Sequence, residues 1–424
     1  MKNIILLKII LMLIFCSCNK KEFSRIRPDK KLIEINTKYT ELLTESENGW
    51  IGYLYPTGGK AYTFRFVFNK ENRVFTSGTL DERYTANEME SSYRIVADQI
   101  PTLSFDTYSY LHLLSDPDEY VYGGIRGRGH ISDFEFSFIR SSMDTIQLKG
   151  NHNGSKLVLI RANSTQDKSF IKKTYEINNI VKQINDFPLY HKKIIINNKE
   201  FTFSITPHIN AMCFYYMEGN EFKQKTTLFS PNNNGIRFKD SINLAGISFQ
   251  ELSDFKINPL QNAGSFKINN QLEVKIEGIE APLFIDKNAG NRFRQSSKQF
   301  YSPTMFTING HHEALMLRDL DGFIGGYYIS NITTSGLDAL YLVYRTGLRY
   351  VGPLFYSHID DQGVLKFNKY QEASGIIPSP AELVILRRFN DVWFNSDGYY
   401  VFQSGPDDFD LVNSKNAKIW VRFN

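Results

Sequence analysis

Between residues 50 and 161 the chain changes face at almost every step. Tyr62, Phe64, Phe66 and Phe68 alternate with Thr63, Arg65 and Val67. A period of two marks a β-strand with one buried face. The pattern recurs. Trp50–Tyr55 is followed by the turn Pro56-Thr57-Gly58-Gly59, and Asn69–Asn72 turns the chain into Arg73–Thr76. Ser91–Ala97 and Thr102–Phe105 pair across Ile100-Pro101. Asp133–Ile139, Thr145–Lys149 and Ser155–Arg161 form a meander whose last turn is Asn151-His152-Asn153-Gly154. About eight short strands in succession predict an up-and-down barrel or a strongly curved antiparallel sheet. Ahead of them Leu32, Ile35, Tyr39, Leu42 and Leu43 recur at helical spacing, with Asp29 as N-cap and Gly49 as stop. That helix, over 30–48, is placed to plug or cap the barrel.

The fold class that follows is mainly β: an N-terminal helix, a barrel-like meander, then a second β-rich region. Residues 162–175 are polar and set a boundary after the unit at 30–162. Tyr175–Phe187 reads as weakly helical. Ile194–Pro207, Ala211–Met217, Phe222–Phe229, Gly235–Phe238 and Gly246–Glu251 read as strands of a unit at 175–300. Asn288–Ser302 reads as a linker. In 303–424, which is either continuous with the second unit or separate, Leu340–Arg345, Tyr350–His358, Val364–Tyr370 and Ile419–Phe423 read as strands. Leu383–Phe389 fits helix or strand.

Residues 1–18 read as a signal segment. The apolar run Ile4–Phe15 is broken by Lys8 and is too short to span a bilayer. It ends Phe15-Cys16-Ser17-Cys18, a small residue before a cysteine, as in a bacterial lipoprotein signal. Cys18 is therefore the expected lipidated residue, and two or three acyl chains anchor stably. Residues 19–29 form a charged tether. Removing Lys2 and Lys8 from the 49 basic residues leaves 47 against 45 acidic. That balance is too even to argue for nucleic acid, and no nucleic-acid partner is expected. The remaining cysteine, Cys213, lies in an apolar run and reads as a buried small hydrophobe.

The segments Asn48-Gly49-Trp50, Tyr53–Gly59, Ser104–Asp118, Gly123–Gly129, Ser132–Phe136 and Asn153–Leu159 resemble the family of bacterial lipoproteins called domain of unknown function 4302. The resemblance is close over 30–162 and looser beyond. It implies an outer-membrane location in a Gram-negative cell, on the periplasmic or the surface-exposed leaflet. It also implies partnership with a TonB-dependent transporter and its lipoprotein lid. It carries no catalytic residues.

Catalytic motifs are absent from the sequence, and no metal or cofactor is expected. His311-His312-Glu313 is the densest metal-capable cluster, but it follows Asn309-Gly310 and reads as a polar turn. Asp116/Asp118, Asp319/Asp321, Asp360/Asp361 and Asp407/Asp408/Asp410 lack calcium-loop spacing and read as solvated turns. Gly123–His130 carries Arg126, Arg128 and His130, with no helix behind it to make a phosphate cradle. Aromatics make up 14% of the chain, with 24 Tyr, 33 Phe and 3 Trp. Most suit strand packing. Tyr108, Tyr110, Tyr120 and Tyr122 flank the Gly-Arg loop instead, where ring faces stack on glycans or other small ligands. The expected site is thus Tyr108, Tyr110, Tyr120, Tyr122, Arg126, Arg128 and His130. The expected function is a non-catalytic, lipid-anchored ligand-binding or accessory subunit of an outer-membrane nutrient importer. The alternatives are a surface hydrolase and a structural or adhesive surface protein.

Overall fold

A computed structural model describes residues 28–424 apart from 98–99, 297–298, 321, 346–348 and 377–378. The signal segment with Lys2, Lys8, Cys16 and Cys18, the tether as far as Arg27, and Asp321 lie outside the described residues.

Helix α1 (Pro28–Thr44) comes first. It starts one residue before the expected cap Asp29, because proline needs no hydrogen-bond partner for its nitrogen in a first turn. It also ends five residues before Gly49. The Gly49 N–H instead closes a turn onto the Ser46 carbonyl at 2.9 Å and feeds the first strand.

Strands β1 (Trp50–Tyr55), β2 (Tyr62–Phe68), β3 (Arg73–Gly78), β4 (Met89–Ala97), β5 (Pro101–Phe105), β6 (Glu135–Ser141), β7 (Thr145–Gly150) and β8 (Lys156–Arg161) form a closed barrel in sequence order. Closure is antiparallel, β1 on β8, with Trp50 opposite Arg161. Tyr62, Phe64, Phe66 and Phe68 all point inward, with Phe105, Phe136, Leu148 and Leu159. An eight-stranded barrel is just wide enough for side chains to fill it, and this one is filled. Leu43 joins that interior cluster, while Tyr39 stacks on Phe138 with ring centroids 4.0 Å apart. Thus α1 caps the end that carries the β2–β3, β4–β5 and β6–β7 turns.

The other end carries three short helices, α2 (Glu82–Thr85), α3 (Tyr110–Ser115) and α4 (Glu119–Tyr122). Tyr110, Leu111, Leu113 and Leu114 of α3 complete the interior cluster there. Both ends are closed, so the lumen is a core.

A second closed barrel follows helix α5 (Phe170–Lys182) and a 3-10 turn at Gln183–Asp186. Its strands are β9 (His191–Ile196), β10 (Lys199–Thr206), β11 (Ala211–Glu218), β12 (Glu221–Asn232), β13 (Gly235–Leu244), β14 (Ile247–Asn258), β15 (Ala263–Ile268) and β16 (Leu272–Ile279). The run Ile194–Pro207, read as one strand, is two. Asn197 and Asn198, at φ 46° and 58°, make the tight hairpin between them. Val181, Ile184 and Phe187 enter this barrel's interior from the end of α5.

The expected linker at Asn288–Ser302 contains helix α6 (Ala289–Gln295) and β17 (Phe300–Ser302). Ala289, Phe293 and Phe300 are core residues, and burial of those three positions overrides the polar composition around them. The remaining elements are β18 (Phe306–Ile308), β19 (Phe323–Ile329), β20 (Asp338–Tyr344), β21 (Arg349–Ile359), β22 (Val364–Gly375), α7 (Pro380–Trp393), β23 (Tyr399–Gln403), β24 (Phe409–Asn413) and β25 (Ile419–Phe423). The sheet runs β17-β19-β20-β21-β22-β23-β24-β25-β18. Paired backbone bonds between Tyr301 and Asn424, 2.8 and 2.9 Å, curl it back on itself. Leu383–Phe389 is helical, within α7, which a Ser379/Glu382 capping box and Pro380 start. Its Leu386, Phe389 and Trp393 fill the concave side.

Outward-facing side chains join the three units. Thr63 and Arg65 are buried although they face out of the first barrel. Thr63 donates to the Pro231 carbonyl, and Ser230 donates to the Tyr62 carbonyl at 3.0 Å. Ile51, Tyr53, Tyr55, Phe170 and Ile171 pack in the seam between barrels. Tyr190, Cys213, Tyr215, Phe402 and Trp420 pack in the seam to the C-terminal sheet.

Candidate functional site

The Gly-Arg loop lies at the α3 end of the first barrel, opposite α1. Its backbone makes its own fold: Ile125 N–H bonds Gly129 O at 2.8 Å, and Gly129 N–H bonds Ile125 O at 2.9 Å. Gly129 has φ +56°, and a Cβ there would lie 2.7 Å from the Asp116 carbonyl. The glycines therefore serve a tight hairpin.

The expected site residues part company. Tyr110 is buried and donates to the Asn87 carbonyl at 3.1 Å. Tyr122 packs edge-on against Tyr84, and its carbonyl meets His130 Nε2 at 3.0 Å. Burial and neighbouring phenols hold the Tyr122 hydroxyl protonated. These three residues cap the barrel and are not at the cleft. Tyr120 is 90% exposed. Arg126 is exposed as well. Tyr108 is half-exposed and donates to Asp116 at 3.0 Å. Arg128 alone of the seven lines a cleft.

That cleft, about 460 Å³, is lined by Arg128, Asp133, Phe134, Glu135, His152 and Asn153, among others. Asp133 builds its floor. Oδ1 of this buried carboxylate accepts the backbone N–H groups of His152 and Asn153 at 2.8 and 2.7 Å, and Oδ2 accepts that of Ser155 at 3.0 Å. The space comes from Gly150, where a Cβ would stand 2.1 Å from Asp133 Oδ2. Asp133 therefore fixes the β7–β8 turn, and with it His152 and Asn153, against the start of β6. Glu135 accepts from Ser104 at 3.1 Å and is exposed.

A ladder of rings stands beside the cleft. Phe134 stacks on His112 at 4.2 Å with planes 19° apart, and His112 stacks on Tyr108 at 5.9 Å. Burial lowers the His112 pKa, with Asp106 and Glu135 opposing, which favours a neutral ring. Phe134 and Tyr108 keep open faces, 37% and 52% exposed. A flat apolar ladder next to Arg128, Glu135, His152 and Asn153 suits a ligand with one apolar face and several hydroxyls. Phe134 and His112 were not among the expected residues. Phe134 shares its alternation with the interior Phe136, and only its place before β6 turns it outward.

The other candidates have local roles. His311-His312 follows a turn with Asn309 at φ 52° and Gly310 at φ 78°. His312 bonds Thr307 at 2.9 Å and Asp186 at 3.0 Å. Asp116, Asp118 and Asp360 accept backbone N–H groups within their own turns. Among the described residues no group of three or more His, Cys, Asp or Glu converges to hold a metal ion. Cys213 is buried, and burial raises its thiol to about 11.

No curated protein matches this sequence. Two solved structures are similar at a low level. The DNA polymerase III β subunit of Thermotoga maritima is 6% identical, over 92% of this chain and 96% of that one, with a TM-score of 0.14. Transferrin binding protein B of Neisseria meningitidis serogroup B is 10% identical, over 86% of this chain and 65% of that one, with a TM-score of 0.12. At those scores neither carries an argument about fold or activity. The family described as "Domain of unknown function (DUF4302)" matches residues 20–258, from before α1 to the last residue of β14. That is more than half of the sequence, and the chain belongs to this family.

Proposed function

We propose that this protein is a lipid-anchored ligand-capture subunit of the bacterial outer membrane. Cys18 carries the lipid, and residues 19–27 act as tether. The carrying observation is the arrangement of the first barrel: α1, which follows the tether, covers one end, and the cleft with its Tyr108–His112–Phe134 ladder opens at the other. A tether at one end leaves the opposite end free to meet ligand and raises its concentration beside a neighbouring transporter. The ladder and its hydrogen-bonding rim favour a glycan. The family resemblance supports a TonB-dependent transporter and its lipoprotein lid as the neighbours, and either leaflet as the site of display.

A glycan array probed with the lipid-free chain tests the ligand. Selective binding is expected, lost in Tyr108→Ala/Phe134→Ala and kept in Tyr120→Ala, which stands apart from the cleft. No glycan bound, or equal binding by all three proteins, defeats the glycan reading. Palmitate labelling of wild type against Cys18→Ser tests the anchor. Pull-down of the native lipoprotein tests the partner, and recovery of no transporter component counts against it.

A further inference from the structure

A second cleft, about 390 Å³, opens where the α5 end of the second barrel meets the C-terminal sheet. This volume is typical of small-molecule sites. Met305 and Trp420 supply apolar wall, and the basic side chains on it are Lys182, His208, His312 and Arg422. The carboxylates around it are already engaged. Asp186 faces His312 at 3.0 Å, Asp408 faces His208 at 3.0 Å, and Asp410 holds Arg422 through two bonds of 2.7 Å. Lys182 makes no ion pair among the described residues. It is partly buried at the last position of α5, and burial with the nearby Lys60 lowers its pKa to about 8. The cost of desolvating that ammonium without a counter-charge is an argument that one arrives from outside. A second polar group is also unanswered: Trp420 is buried, and its indole N–H has no hydrogen-bond partner among the described residues.

We propose that this cleft binds a small organic carboxylate, its anionic end at Lys182 and its body against Trp420 and Met305. The site is separate from the ladder on the first barrel, and it stands whether or not that ladder binds a glycan.

Tryptophan fluorescence reads this site. The other two tryptophans, Trp50 and Trp393, are buried in the cores of the first barrel and the C-terminal sheet. The probes are benzoate for an aromatic acid and glucuronate for a sugar acid, with benzamide and glucose as uncharged counterparts. At least one acid is expected to give a saturable change below about 10 mM, with its neutral counterpart at least about tenfold weaker. Lys182→Met is expected to weaken the acid by about tenfold or more, and Trp420→Phe to remove the signal. Lys182→Gln replaces the methionine variant if circular dichroism shows that the latter is misfolded. No saturation with either acid, equal binding of the neutral counterpart, or unchanged affinity in a folded Lys182 variant overturns the proposal.

Discussion

The hydroxyl of Tyr190 donates to the carboxylate of Asp410 at 2.8 Å, across the seam between the second barrel and the C-terminal sheet. Arg422 grips both oxygens of the same carboxylate with two bonds of 2.7 Å. Asp410 is fully buried, and Arg422 nearly so. Burial works against the Arg422 charge, but Asp410 offsets it and holds the guanidinium charged. The phenol joins two segments far apart in sequence, and the charge pair it meets spans the neighbouring strands β24 and β25.

Breaking that pair from one side leaves a buried charge without its partner. Asp410→Ala is expected to destabilise the fold by about 3–5 kcal/mol, and Tyr190→Phe by about 1–2 kcal/mol. Replacing both charges with apolar groups, Asp410→Leu/Arg422→Met, is expected to cost less than Asp410→Ala alone. Urea denaturation of the four proteins checks this order. A double variant weaker than the single one refutes it.

Asp133 and Gly150 are a matched pair. Gly150→Ala has nowhere to put its methyl except into the Asp133 carboxylate. Both Gly150→Ala and Asp133→Ala should release the β7–β8 turn, lowering stability by about 2–3 kcal/mol. Amide hydrogen exchange should speed up at His152, Asn153 and Ser155, whose N–H groups the carboxylate holds. Unchanged exchange there would remove Asp133 from its structural role.

Lys192 gives the protein a pH signature. It is buried, with its ammonium 5.2 Å from the Tyr190 ring centroid. Burial, then Arg422, pulls its pKa from 10.5 to about 7, against Asp410 and Asp186. Between those values the unfolded chain holds a proton that the folded chain lacks, so stability rises with pH from about 7 to about 10.5. His191 extends the trend on the acid side. Burial, then Lys192, holds it at about 3 against a usual 6.5, so stability falls as pH drops through that window. Lys192→Met should flatten the alkaline limb and stabilise the fold near neutrality by a few kcal/mol. Denaturant midpoints from pH 4 to 10 test both limbs. Lys182, held at about 8, adds to the same limb, so an alkaline slope as steep in the variant as in the wild type would show that Lys192 is not its source.

Cys213 should be inert in the folded protein. It is buried and its thiol is held near 11, so little thiolate exists at neutral pH. In a chain that begins after Cys18, a thiol reagent is expected to label this cysteine only under denaturing conditions. Fast native labelling would show that the seam around Tyr215 and Trp420 opens.

The first barrel was legible because each strand alternates cleanly and each turn announces itself. Tyr62 to Phe68 is the clearest case. Other elements were hidden for identifiable reasons. Asn197-Asn198 is a tight-turn signal set inside a continuous β-rich run, so two strands read as one. Strands β15 to β19, β23 and β24 went unread. The capping box at Ser379 and Glu382 was available as a helix signal, and it settles what Leu383–Phe389 becomes. For the candidate site, the Gly-Arg loop is legible in the sequence, but which of its neighbouring rings are buried is not. Tyr110 and Phe134 sit in similar local patterns, yet one completes a core and the other faces solvent.

The sequence by itself determined the β class, the leading helix and the eight-strand order of the first barrel, because period and turn chemistry are local properties. It also set the aromatic excess. Tertiary structure decided where that excess goes. Barrel closure sends Phe64, Phe66 and Phe105 inward, and unit-on-unit packing recruits outward residues such as Tyr53, Tyr190 and Tyr215 as seams. Only the position of α3 over a barrel end separates the tyrosines that cap from the rings that line a cleft. Burial of that kind depends on what else covers a surface, and no local stretch of sequence carries that information.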